Sequence, residues 1–384
     1  MSKSITYGLL AVAVSSSLLV AQGEPAGSWS AKAGSGITYS GGDQFGINML
    51  NFVQTRLSAV SPEGGDDTVS FDVPRTRTLL RGHAFNKNIN YVLQVDYMDS
   101  SEVSGIAVGD VDPITGLTVS AVAGQTTGSI LRDAYVHWSF LDGVGLRMGQ
   151  GKTQWGLENT GTIRGTMFTE RSLASNAFNV DRTRGAWLMG TQYDNKLRWS
   201  LGAVNGLGTE EEAANDDDRL GYVASANLDL MGDFFGGARE WWSQGDLRDG
   251  DRDLKGTIGG GYAKDTDAGA DLTLTNVNTA WGAQGFQVMA EYYSAEDDAG
   301  TEVMTGHYLQ GTYTFGKSGD SSMRWALGVR VSSVDEGGDE TDDVSIVLDA
   351  LYQGHNCKTQ LELTESETGD ETDQIVTLAF QLVF

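Results

Sequence analysis

The sequence predicts an all-β fold in which about sixteen antiparallel strands close into a transmembrane barrel. Three observations carry this. Apolar and polar residues alternate at period 2 in segment after segment between Phe45 and Phe384. The links between segments are alternately short and long. The composition, with 51 Gly, 4 Pro, 13 Tyr, 9 Trp and 13 Phe in 384 residues, suits strands and tight turns better than helices.

At the N-terminus, Lys3 precedes an apolar run, GLLAVAVSSSLLVA, that ends on the small residue Ala21. Residues 1–21 therefore read as a secretory signal and residues 22–384 as one barrel domain. The apolar run is too short to span a bilayer as a helix, and no later stretch approaches the roughly 18 apolar residues that a spanning helix needs. Lys3 is the only charged residue of the signal, so its removal deepens the formal charge from −26 to −27.

The strands follow. INYVLQVDYM sets Tyr91, Leu93, Val95 and Tyr97 against Asn90, Gln94 and Asp96. MRWALGVRV sets Met323, Trp325, Leu327, Val329 and Val331 against Arg324 and Arg330. Leu197 to Ala203, Leu309 to Phe315 and Val344 to Tyr352 repeat the pattern. Short links fall at 86–88, 141–143, 194–196, 282–284 and 353–354. Long polar or acidic links fall at 60–74, 101–128, 151–183, 206–218, 296–302, 334–342 and 366–371. Such alternation is expected of a barrel with short periplasmic turns on one rim and long extracellular loops on the other. One link, 231–253, is long where a short turn is due. The last strand alternates Val376, Leu378, Phe380, Leu382 and Phe384 up to the chain end. This is similar to the terminal signal read by the assembly machinery of bacterial outer-membrane barrels, so the expected location is the outer membrane.

In such a barrel the polar face of each strand lines the lumen. Arg75, Arg77 and Arg81 stand at period 2 or 4 in VPRTRTLLRGHAF and form a positive stripe on that face. The same parity puts Arg184, Arg198, Arg324 and Arg330 on polar faces, with Asp96, Asp133, Glu291, Asp349 and Glu362 also inside. Two readings stay open: the arginines concentrate anions, or they pair with these carboxylates and keep the lumen wet. The acidic clusters at 209–218, 295–302 and 335–343 fall in loops. They read as solvated surface, with divalent-cation bridging to lipopolysaccharide phosphates as the sharper alternative.

Between Leu131 and Gly185 the motifs DAYV (133–136), GQGK (149–152), Leu157 with Glu158, TERSL (169–173) and NAF (176–178) followed by Arg182 resemble the phosphate-selective porin O/P family. The resemblance implies a 16-stranded trimeric channel whose long third loop folds into the lumen. It also implies an anion constriction, onto which Lys152, Arg164, Arg171, Arg182 and Arg184 map. The expected function is passive diffusion of small solutes with anion preference, phosphate or polyphosphate being the finer possibility and a general or cation-preferring pore the alternative.

Other classes are weighed against this. The four histidines lack zinc-like spacing, and no metal or cofactor is expected. No nucleophile motif or phosphate loop is present, which argues against an enzyme, although a hydrolase embedded in the barrel and a β-rich secreted binding protein remain the alternatives of other classes. The acidic balance argues against nucleic acid as a partner. With one cysteine, Cys357, an intrachain disulfide is impossible.

Overall fold

The computed structural model describes residues 27–98, 131–180, 182–207, 219–236, 242–249, 252–267, 270–316 and 323–384. The segment 1–21 read as a signal, the link at 101–128 and the acidic cluster at 209–218 lie outside the described residues. After a short hairpin, β1 (Ser28–Lys32) and β2 (Gly36–Ser40), come β3 (Phe45–Ser61), β4 (Thr68–Ala84), β5 (Asn86–Asp96), β6 (Leu131–Leu141), β7 (Val144–Lys152), β8 (Arg182–Gln192), β9 (Leu197–Val204) and β10 (Gly221–Met231). The remainder are β11 (Lys255–Asp267), β12 (Ala270–Ala283), β13 (Phe286–Glu296), β14 (Glu302–Phe315), β15 (Arg324–Glu336), β16 (Asp339–His355), β17 (Cys357–Thr368) and β18 (Glu371–Val383). From β3 onward each strand pairs antiparallel with the next, and β18 pairs back onto β3, so sixteen strands close the barrel.

Closure leaves little of β3 unpaired. β18 pairs with it down to Phe52, Phe384 exchanges two backbone hydrogen bonds with Asn51, and β2 continues from Met49 to Gly46. An open sheet edge in a membrane would strand backbone donors and acceptors, and this arrangement removes it.

Burial is inverted relative to a water-soluble protein. On β15, Leu327 and Val329 are each 47% exposed while Arg330 is 4% exposed. On β16 through β18, Ile346, Leu348, Leu361, Leu363, Val376, Leu378 and Phe380 face outward while Asp349, Lys358, Gln360 and Glu362 are buried. This polarity requires hydrocarbon outside and polar contents within. Aromatic clusters lie at the short-turn rim: Phe286 stacks on Tyr313 with centroids 4.2 Å apart, Tyr313 on Phe315 at 5.8 Å, and Trp138 lies 5.5 Å from Phe140. Such rings suit the membrane interface, where an apolar body and a polar tip are both accommodated.

The extracellular rim differs from the expected loops in three places. Only residues 62–67 separate β3 from β4, Gly337 and Gly338 alone join β15 to β16, and Gly369 with Asp370 joins β17 to β18. Most of the acidic residues read as loop at 335–343 are strand ends, exposed on both faces. Both of their faces can be solvated, so the period-2 contrast disappears from the sequence. Pro74 lies inside β4 at a register shift against β3, where a residue without an N–H disturbs no ladder bond.

Candidate functional site: a loop docked inside the barrel

The connection between β7 and β8, residues 153–181, carries a short helix α1 (Leu157–Thr160), a 3₁₀ turn (Ile163–Gly165) and a second helix α2 (Leu173–Ala177). Most of its described residues are buried, as a segment inside the lumen requires. Its backbone needs partners there, because buried peptide groups cannot go unpaired. Trp155 Nε1 closes the base of the loop by donating to Phe178 O at 2.9 Å.

The wall from β13 to β17 supplies many of the partners. Glu291 on β13 accepts from the amides of Leu157 and Glu158 at 2.6 Å each, and from Tyr308 Oη at 2.8 Å. Glu362 on β17 accepts from Thr169 N at 2.7 Å and Thr169 Oγ1 at 2.6 Å. Lys358 donates to Thr166 O at 2.6 Å, Gln360 to Met167 O at 3.0 Å, and Ala174 N donates to Ser332 Oγ at 3.0 Å. Hydrogen bonds to charged groups contribute about 1.5–3 kcal/mol each. At its tip the loop reaches across the lumen. Ile163 packs with Leu50, Phe52, Leu79 and Val383, Gln381 donates to Arg164 O at 2.8 Å, and Glu170 pairs with Arg75 at 2.6 Å and Arg56 at 3.4 Å.

The arginines and the lysine singled out from the sequence separate into two groups. Arg330 lies beneath the loop, over the Phe168 ring at 4.1 Å, 3.5 Å from Glu362, donating to Glu170 O at 3.0 Å. Arg324 holds Asp249 and Leu247 O, and Arg198 pairs with Asp229 and Asp233, each at 2.9 Å. Parity put these three on the inner wall, and inserted chain covers them. Arg184 departs from that parity: it is exposed on the strand face of Ala186 and Leu188, opposite buried Trp187, and donates to Gln150 Oε1 at 3.2 Å.

The second group gathers between the loop and the wall from β3 to β8. Arg75 holds Glu170, Arg77 pairs with Asp96 at 2.5 Å, and Arg182 pairs with Asp133 at 3.0 Å and reaches Gln94 at 3.2 Å. Lys152 Nζ and Arg171 Nη2 both donate to Gly161 O, at 2.8 and 3.4 Å. Arg81 donates to Asn48 at 3.2 Å and lines a cavity of about 710 Å³ on the short-turn side, together with His83, Tyr91, Tyr135, His137 and Arg147.

Among the described residues no carboxylate lies within ion-pairing distance of Arg164. Burial, together with the charge of Arg81, pushes its guanidinium down to about 10. Burial works against ionisation of Glu170, yet Arg75 and then Arg56 hold its carboxyl below the usual range.

Sequence parity put Glu291 and Glu362 inside the barrel without showing that they hold the loop. Gln244, in the long connection 232–254, carried no signal beyond the unexpected length of that link. It enters the lumen from the short-turn end and meets the loop.

A closed barrel of inverted polarity, with one loop docked in a polar lumen and cationic side chains opposite it, defines an outer-membrane porin, a channel and not an enzyme. The profile of the phosphate-selective porin O and P family matches residues 55–229 of this chain. No curated protein sequence matches it. Among solved structures, OprB of Pseudomonas putida is similar at 10% identity and TM-score 0.58, over 88% of this chain and 94% of that one. An anion-selective porin from Comamonas acidovorans is similar at 10% identity and TM-score 0.54, over 89% and 100%. The trimer form of OmpT from Vibrio cholerae is similar at 14% identity and TM-score 0.50, over 88% and 100%. At these identities the likeness is one of fold.

Proposed function

We propose that this porin prefers small anions and holds phosphate transiently between the docked loop and the wall from β3 to β8. The observation that carries the reading is Arg164: a mostly buried cation beside Arg81, without a carboxylate partner among the described residues. Two like charges held close together in a low-dielectric lumen favour an anion between them. Lys152 and Arg171 supply further donors a few residues away along the same loop and at its root. Arg75, Arg77 and Arg182 are balanced by Glu170, Asp96 and Asp133, so they add donor geometry more than net charge.

The test is a reversal potential in a chloride gradient, followed by titration of phosphate against chloride current. Anion preference with saturable phosphate block is expected, and Arg164→Ala should weaken the block while Arg324→Ala should not. Anion preference without block would make the protein a general anion porin. Cation preference would refute the reading. A homotrimer is proposed as well, in line with the trimer form of OmpT, and sedimentation in detergent tests it.

A further inference from the structure

The connection between β10 and β11 is long at the rim where the turns are otherwise short, and residues 242–249 of it lie inside the lumen directly against the docked loop. Gln244 uses both main-chain and side-chain groups there. Its N donates to Gly165 O at 2.7 Å, and its O accepts from His355 Nε2 at 2.8 Å. Its Oε1 accepts from Met167 N at 2.9 Å and Gln310 Nε2 at 3.2 Å, while its Nε2 donates to Glu158 Oε1 at 3.1 Å. Thr162 N adds a bond to Trp242 O at 3.3 Å.

The connection is itself fixed to the barrel. Gly245 N donates to Gln287 Oε1 at 2.6 Å, Asp246 accepts from Gly285 N at 2.8 Å, and Arg324 holds Leu247 O and Asp249. The two inserted segments also interlock sterically. A Cβ on Gly161 would lie 2.9 Å from Trp242 Nε1, and one on Gly165 would lie 2.3 Å from Ser243 Oγ. These glycines let the segments approach to backbone contact.

We propose that residues 242–249 form a second, periplasmic constriction element, and that Gln244 is a positioning residue that sets where the docked loop stands in the pore. The Gln244 side chain satisfies the buried Met167 amide and a Glu158 carboxylate oxygen on the docked loop, so displacing it leaves Met167 N without its partner and frees the 158–167 stretch to move. The consequence is a change in pore width and steadiness at either ion preference. The proposal therefore survives or fails independently of the anion reading.

The experiment is single-channel recording of the full-length protein carrying Gln244→Met, which keeps the volume and removes the side-chain hydrogen bonds. Heat-modifiability of the barrel is checked in parallel. A broadened conductance distribution, greater open-channel noise and a shifted exclusion limit for neutral polyethylene glycols are expected, with the barrel unchanged. Gln244→Glu should do more, because it sets a carboxylate against Glu158. The double variant with Glu158→Gln restores a donor and acceptor pair and should recover a narrow conductance level. Wild-type conductance, noise and exclusion limit in Gln244→Met would overturn the proposal, as would a double variant no better than Gln244→Glu. If Gln244→Glu does not assemble, the Met variant alone decides.

Discussion

The two walls of the lumen carry the same residue types and use them in opposite ways. From β13 to β17, Glu291, Arg330, Lys358 and Glu362 are buried against inserted chain and bind its backbone. From β3 to β8, Arg77 and Arg182 pair with carboxylates of the wall itself, Arg75 reaches Glu170 of the docked loop, and Arg81 lines an open cavity. A charged side chain on a barrel's inner face thus meets open lumen only where nothing is docked on it. On the other wall it is part of a folded interior.

The sharpest way to break this comparison is to remove one cation from each wall. Arg330→Ala leaves Glu362 and Glu158 buried without their shared cation, a loss of about 3–5 kcal/mol in the attachment of the loop. Limited proteolysis within 153–181 should then become fast while the barrel stays heat-modifiable. Arg75→Ala leaves Glu170 partly exposed and still near Arg56, so the same assay should register about 1 kcal/mol or less. Equal sensitivity of the two variants would erase the distinction between the walls.

Acid should probe the cationic wall more gently. The Glu170 carboxyl is depressed in the folded protein, so its contribution is complete at neutral pH and is lost as pH falls below roughly 4. Current noise should rise in that range and be absent at pH 6. Glu170→Gln should show the noise at both pH values. At the alkaline end the charge of Arg164 is lost as pH rises through about 10. Anion preference should decline there, and the decline should be missing in Arg164→Ala.

Much of this architecture was legible in the residue order. Val376 to Phe384 and Met323 to Val331 alternate because one face meets hydrocarbon and the other a polar interior, a local requirement that every strand records for itself. The motifs from Asp133 to Arg182 marked the loop as the site, and the excess length of the 231–253 link was visible although its use was not. The strand ends at 335–343 were misread as loop because exposure of both faces erases alternation.

From the sequence by itself, then, follow the closed barrel, its orientation of polar and apolar faces and the identity of the docked loop. Only the tertiary structure decided which arginines face the pore and which lie beneath inserted chain, and that Gln244 stands at the junction of two insertions. The physical reason is distance along the chain. Period-2 patterning acts between neighbours, whereas Thr166 with Lys358 and Thr169 with Glu362 meet across 192 and 193 residues, and no local pattern specifies such a pair.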